Sequence, residues 1–294
     1  MSFFFKRLTN FFITLFSLAC LLLLSFSLIV KSISKDYNLN ELNKGLFVGD
    51  SHVRCAIDDS YIDGYINMGL YAESYYFSFF KIKQLLDRND NIEEVYLGYS
   101  YHSLSNYYDS YVSGEYSKEV SSTYFFMLPL RGQLECLLWN LSEMPSYLRM
   151  GINKECESYF KSGEYAFRGG YVNNKIDMAS EGEIAKRIKA QFYDKNVVRQ
   201  FSKLNIDNLL KIIALCNERD IELTLVNMPL HRLYRKRIPA EYRIKFQELL
   251  DESNVCLIDL SALEMDDDCF IRDGDHLTRK GALKTTTEFI KLLK

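Results

Sequence analysis

Between Phe11 and Val30 the chain runs for twenty residues without a charged side chain. Folded as a helix, at 1.5 Å rise per residue, such a run spans the ~30 Å apolar core of a bilayer. Lys6 and Arg7 precede the run, and Lys31 and Lys35 follow it. The early basic pair favours an N-terminus inside and the remainder outside. A cleaved signal peptide is the competing reading, but its apolar region is usually about 7–15 residues and ends in small residues. This run is longer and closes with Ser27-Leu28-Ile29-Val30-Lys31, which favours a retained anchor. Cys20 sits in the middle of it, which argues against lipidation there. We therefore expect an anchor and polar linker over 1–44, the linker occupying 31–44. A single extracytoplasmic domain is expected over 45–294, with contact to the membrane through residues 11–30.

Hydrophobic residues make up 48% of the chain and charged residues 26%, enough to build a buried core. The net charge of -3 and the absence of a basic stripe with interleaved aromatics speak against nucleic acid. The seven cysteines form no CxxC pair and the four histidines are widely spaced, so we expect neither a metal site nor any cofactor. Disulfides in an oxidising compartment remain open, with free buried thiols the simpler reading.

Past the anchor, strand and helix patterns alternate. Gly45–Gly49 reads as a short strand, Tyr65–Gly69 as a second and Ile92–Tyr99 as a third, with a helix over Ala72–Leu86. Further on, a helix over 201–219, a strand over Ile221–Val226, a helix over 240–252, a strand over Val255–Asp259 and a helix over Thr278–Leu293 repeat the rhythm. Such alternation predicts an α/β fold of three layers, helix on both faces of a mostly parallel sheet. Residues from about 103 to 198 break the rhythm. They carry the apolar patch Tyr124–Leu130 and a helix near Leu134–Trp139, and read as a helical insertion or cap over one end of the sheet.

Two short motifs carry chemistry. Gly49-Asp50-Ser51-His52 follows the first strand directly, and a serine at a tight strand-to-helix turn exposes its hydroxyl beside free backbone N–H groups. Asp273-Gly274-Asp275-His276 precedes the last helix. A carboxylate three residues before a histidine can turn back and hold one imidazole nitrogen, leaving the other to take a proton from serine. One motif follows the first strand and the other the last, so a parallel sheet can bring both to one edge.

These two blocks resemble those of the SGNH (GDSL-like) hydrolases over roughly residues 45–102 and 205–294. The resemblance implies Ser51 as nucleophile, His276 as base and Asp273 as the carboxylate that orients it. It implies an oxyanion site from the backbone of Ser51 and Gly69. The third family block is usually Gly-x-Asn-Asp, and here the strand ends Gly98-Tyr99-Ser100-Tyr101-His102, placing Ser100 where the asparagine stands. Its hydroxyl can donate in its stead, or Asn67 or Asn106 can substitute. With His after the serine, one N-terminal anchor and a middle insertion, the chain is similar to envelope proteins that add or remove acyl groups on polysaccharides, among them alginate O-acetylation and teichoic-acid D-alanylation factors. That implies an extracytoplasmic serine esterase or O-acyltransferase acting on acyl, chiefly acetyl, esters of glycans. The other reading is a non-catalytic module of the same fold that binds glycan or an envelope assembly partner.

Plainer roles stand beside these. Ser51 can also cap a helix, and Asp273-Gly274-Asp275 can be only a turn, with Asp275 a solvated turn residue. His52, His102 and His231 are candidate substrate-binding residues, or histidines satisfied within the fold. Arg232, Arg235, Lys236 and Arg237 form a basic run that reads as a solvated face or a contact for anionic polymer or lipid head groups. The patch 124–130 is cap core or a membrane-touching surface.

Overall fold

The computed structural model describes residues 2–33, 37–163, 166–175 and 178–293. Lys35, expected to flank the anchor, lies outside the described residues. The first helix, α1 (Ser2–Ile33), has a mean hydropathy of 2.6 in its most apolar window and is long and apolar enough to cross a membrane. It extends past the expected boundary at Val30. Its last turns are not part of a free linker: Ser27 and Val30 are buried against the domain that follows.

The domain opens with β1 (Gly45–Val48) and α2 (Ser51–Ala56). Then come β2 (Tyr65–Asn67), α3 (Tyr75–Leu86) and β3 (Glu94–Gly98). The helical stretch contains α4 (Asp109–Val112), α5 (Ser117–Tyr124), α6 (Leu130–Trp139), α7 (Met144–Ser162) and α8 (Glu181–Phe192), followed by a small hairpin, β4 (Tyr193–Asp194) and β5 (Val197–Val198). The chain then returns through α9 (Lys203–Glu218), β6 (Glu222–Asn227), α10 (Arg232–Arg237), α11 (Ala240–Ser253), β7 (Cys256–Asp259) and α12 (Arg279–Leu292). The five strands of the main sheet run in the order β2-β1-β3-β6-β7, all parallel.

Both faces of the sheet are covered, as the continuous apolar strands require. Side chains alternate across a strand. Leu46, Val48, Val95, Leu97, Leu223 and Leu225 share one core with α3, α9 and α11. Phe47, Tyr96 and Val226 share the other with α2 and α12, where Phe47 meets Phe289 edge-on at 5.0 Å. The expected three-layer arrangement is therefore present. Of the patch Tyr124–Leu130, residues Tyr124–Leu128 lie inside the first core, whereas Pro129 and Leu130 are exposed. The seven cysteines are all free thiols.

One buried ion pair lies beneath the loop that follows β2. Lys81 Nζ meets Glu73 Oε2 at 2.5 Å and donates to Met68 O at 2.8 Å, while Ser78 Oγ and Tyr124 OH donate to Glu73. Burial pushes Glu73 up and Lys81 down, and their contact opposes both. Removing one partner of such a pair strands the other charge and costs about 3–5 kcal/mol, whereas removing both is far milder. Lys81→Met should thus lower the thermal midpoint of the detergent-solubilised chain, and adding Glu73→Gln should restore much of the loss.

Candidate active site

β1 ends at Val48 and the chain turns sharply at Gly49, whose φ of 148° and close neighbours leave no room for a side chain. An added Cβ would meet Val53 Cγ2 at 2.9 Å. Asp50 caps α2, its Oδ1 accepting from His52 N at 2.9 Å. Ser51 is thereby the first residue of α2. Its backbone N–H has no acceptor within the helix and is free to face an incoming oxygen.

At the far end of the chain, Gly274 (φ 73°) folds the segment before α12 into a turn. Asp273 Oδ1 accepts from the backbone N–H of Asp275 and His276, and Oδ2 from His276 Nδ1 at 2.7 Å. With that proton held on Nδ1, Nε2 is left as an acceptor, and it lies 2.7 Å from Ser51 Oγ. The geometry is a continuous Ser51–His276–Asp273 hydrogen-bond relay across 225 residues of sequence. Ser51, His276 and Asp273 line a cleft of about 280 Å³.

Asp275 corrects the sequence expectation. It is not a solvated turn residue: it is 1% exposed. Its Oδ1 lies 3.2 Å from His276 Nδ1, and its Oδ2 accepts from Arg187 Nε at 2.8 Å, Gln191 Nε2 at 3.0 Å and His52 Nε2 at 3.3 Å. Burial opposes its ionisation, but the charges of Arg187 and His276 outweigh burial and hold its carboxyl well below the usual range. Burial likewise favours a neutral His276, but Asp275 and Asp273 together hold the imidazole well above its usual value.

His52 and His102 lie behind this relay and do not line the cleft. Their rings are 4.2 Å apart. His102 Nε2 donates to Asp50 Oδ2 at 2.9 Å, and Tyr108 OH donates to the same oxygen. Burial and the neighbouring His52 push His102 down to about 4, so at neutral pH it is an uncharged donor. Burial raises Asp50, but the charge of His52 and the bonds from His102 and Tyr108 hold its carboxyl well below the ordinary value. His231 caps α10 through its Nδ1, pairs with Asp267 at 3.0 Å, and donates its backbone N–H to Gly274 O. It buttresses the turn that carries His276.

The oxyanion positions also differ from expectation. Gly69 N–H is already bonded to Asn67 Oδ1 at 2.8 Å, and Asn67 Nδ2 is committed to Val53 O and Ile57 O. Ser100 is buried at the end of β3, and neither it nor Asn106 lines the cleft. Ala72, three residues past Gly69, does line it. Its φ is 55°, an uncommon conformation for a residue with a Cβ, and its N–H has no acceptor among the described residues. Ala72 N–H and Ser51 N–H are the donors this geometry offers.

Tyr107, Tyr108, Tyr111 and Arg187 close the cleft, all contributed by the segment between β3 and α9. Sequence reasoning missed them, along with Ala72. The tyrosine-rich run after Tyr101 was the only available signal.

No family model and no curated relative matches this sequence. Among solved structures, the chain is similar to a GDSL-like lipase from Bacteroides thetaiotaomicron, at 9% identity over 91% of this chain and 96% of that one, with a TM-score of 0.40. It is similar to a protein assigned as an acylhydrolase from Bacteroides fragilis, at 11% identity over 85% and 86% of the two chains, TM-score 0.36. It is also similar to a protein assigned as a platelet activating factor from Streptococcus pneumoniae, at 14% identity over 95% and 99%, TM-score 0.42. At these scores the likeness carries no argument of its own, and the functional reading rests on Ser51, His276 and Asp273.

A protonated His276 cannot take the Ser51 proton. Because its pKa is raised above 6.5, reactivity of Ser51 should be lost on acidification, with a midpoint above 6.5. Asp275→Asn removes the largest raising charge, so the midpoint should move down. The rate of Ser51 labelling by a fluorophosphonate as a function of pH measures both.

Proposed function

We propose that this chain is a membrane-anchored serine hydrolase or acyltransferase of the SGNH type, acting outside the cytoplasm on acyl esters of glycans. The observation that carries the reading is Ser51 Oγ within 2.7 Å of His276 Nε2, with Asp273 2.7 Å from His276 Nδ1. Ser51 Oγ attacks the ester carbonyl while its proton passes to His276 Nε2. The carbonyl oxygen gathers charge opposite Ser51 N–H and Ala72 N–H. The carbon–oxygen bond to the leaving alcohol then breaks, and the alcohol takes the proton back from His276. The acyl group now sits on Ser51. Water, in a hydrolysis, or a sugar hydroxyl, in a transfer, then attacks the acyl carbon and gives its proton to His276, and as the bond from that carbon to Ser51 Oγ breaks, His276 returns the proton to Ser51. Asp273 holds the ring in the tautomer both half-reactions need.

Support for the glycan ester comes from the tyrosine-lined cleft and from the sequence resemblance. Support for the location comes from α1 and from Lys6 and Arg7 ahead of its apolar run. The competing reading, a non-catalytic module that binds glycan or an assembly partner, draws on the buried Ser100 in place of an oxyanion asparagine.

Hydrolysis of p-nitrophenyl acetate by the full chain in detergent separates the two. Ser51→Ala and His276→Ala should each lose at least about 10³-fold in kcat. Wild-type protein with no activity and no fluorophosphonate label on Ser51 would establish the binding module instead.

A further inference from the structure

The surface of α6 carries an apolar stripe that nothing in the domain covers. Leu130, Leu134 and Leu138 are exposed at i, i+4, i+8, and Leu141 continues the row just past the helix. Trp139, the only tryptophan of the chain, is 43% exposed and rests edge-on against Tyr76. Charged residues normally fill such a helix face, and a contiguous exposed apolar row marks an interaction surface.

The position of the stripe says what covers it. α6 starts where α1 meets the domain. Gln133 Nε2 donates to Ser27 Oγ at 2.6 Å, Lys31 Nζ donates to Leu128 O at 2.5 Å, and Phe26 packs on Phe126 at 4.7 Å. At 3.6 residues per turn, Leu130, Leu134 and Leu138 fill an arc of about 80°, beginning about 60° from Gln133. The row therefore lies beside the face turned towards α1. The charge-free run of α1, Phe11–Val30, is ~30 Å of helix, as long as the ~30 Å hydrocarbon core, and Lys31 follows it directly. The end of α1 at Lys31 therefore stands at the edge of the core, and this is the end fixed to α6. The junction thus falls at the head-group level. A cleft of about 340 Å³ opens there with an apolar floor of Phe79, Phe80, Met127 and Pro129, and Lys31 and Lys83 at its edge. Tryptophan and basic side chains flanking an apolar surface are the usual furniture of a membrane–water interface.

We propose that α6 is an interfacial helix. Its Leu130–Leu134–Leu138–Leu141 row and Trp139 lie in the head-group region of the same bilayer that α1 crosses, so the domain is seated on the lipid surface at two points. The proposal rests on the reading of α1 as an anchor, and the test separates the two.

Because Trp139 is the sole tryptophan, its fluorescence reports on α6 directly. The full chain is reconstituted into phosphatidylcholine vesicles, and flotation is measured first. Trp139 emission is then compared between vesicles with and without brominated acyl chains, and against aqueous iodide. Quenching by bromolipid, a shift to shorter wavelength and weak quenching by iodide are expected. The exposed-site variant Leu134→Glu/Leu138→Glu should still float, yet lose the bromolipid quenching and become open to iodide. Failure to float overturns the anchor and this proposal together. Flotation with Trp139 open to iodide and indifferent to bromolipid overturns this proposal alone. Shielding from both quenchers does so too, and assigns the surface to a second protein or a second copy of the chain.

Discussion

A carboxylate shut away from water must be answered by charge or hydrogen bonds, or it will not ionise. Asp275 is such a group, and the edge that carries Ser51 and His276 is arranged around answering it. Arg187 and Gln191 come from α8, His52 from α2, and His276 from the same turn as Asp275. Gln191 is bonded in turn to Tyr234 of α10, and its carbonyl to Ser105. One buried charge therefore ties the helical insertion to the start and the end of the sheet. The turn of His276, the helix that begins at Ser51 and the insertion cannot shift independently without exposing or stranding it.

The parallel sheet supplies the other half of the arrangement. β1 lies at its interior between β2 and β3, so the chain leaves β1 at the carboxyl edge, where crevices of open α/β sheets lie. Ser51 is delivered there by a glycine turn, and Ala72 by the loop after β2. Ala72 pays for its position with a left-handed backbone, a strain of order 1–2 kcal/mol. The next residue, Glu73, is locked by Lys81, Ser78 and Tyr124, which keeps the loop from relaxing.

Much of this was legible in the sequence because it is local. Strand and helix periods placed β1, β2, β3, β6 and β7, with α3, α9, α11 and α12, within a few residues. The Ser51 and His276 motifs each carry their own turn chemistry within four residues. What was not legible is non-local. Arg187 and Asp275 lie 88 residues apart and His52 and Asp275 223 apart, and no periodicity announces such pairs. Asp275 reads as solvated because aspartate beside glycine usually is; only its partners reverse that. Gly69 was expected in the oxyanion site only because the family resemblance implies it. Yet the side chain of Asn67 claims its N–H, and the left-handed residue turned out to be an alanine. The 124–130 patch, read as cap core or a membrane-touching surface, is core from Tyr124 to Leu128, while the exposed apolar row begins at its last residue, Leu130.

The way α1 ends matters for how such a domain meets its substrate. A domain joined to its anchor by a loose tether sweeps a volume and samples ligands at many heights. Here Phe26, Ser27, Val30 and Lys31 are packed or bonded into the domain, so the anchor behaves as a mast and not a leash. With α1 across a bilayer, such a junction would hold the cleft at one height over the lipid. Its encounters would then be those of a two-dimensional search at that single height.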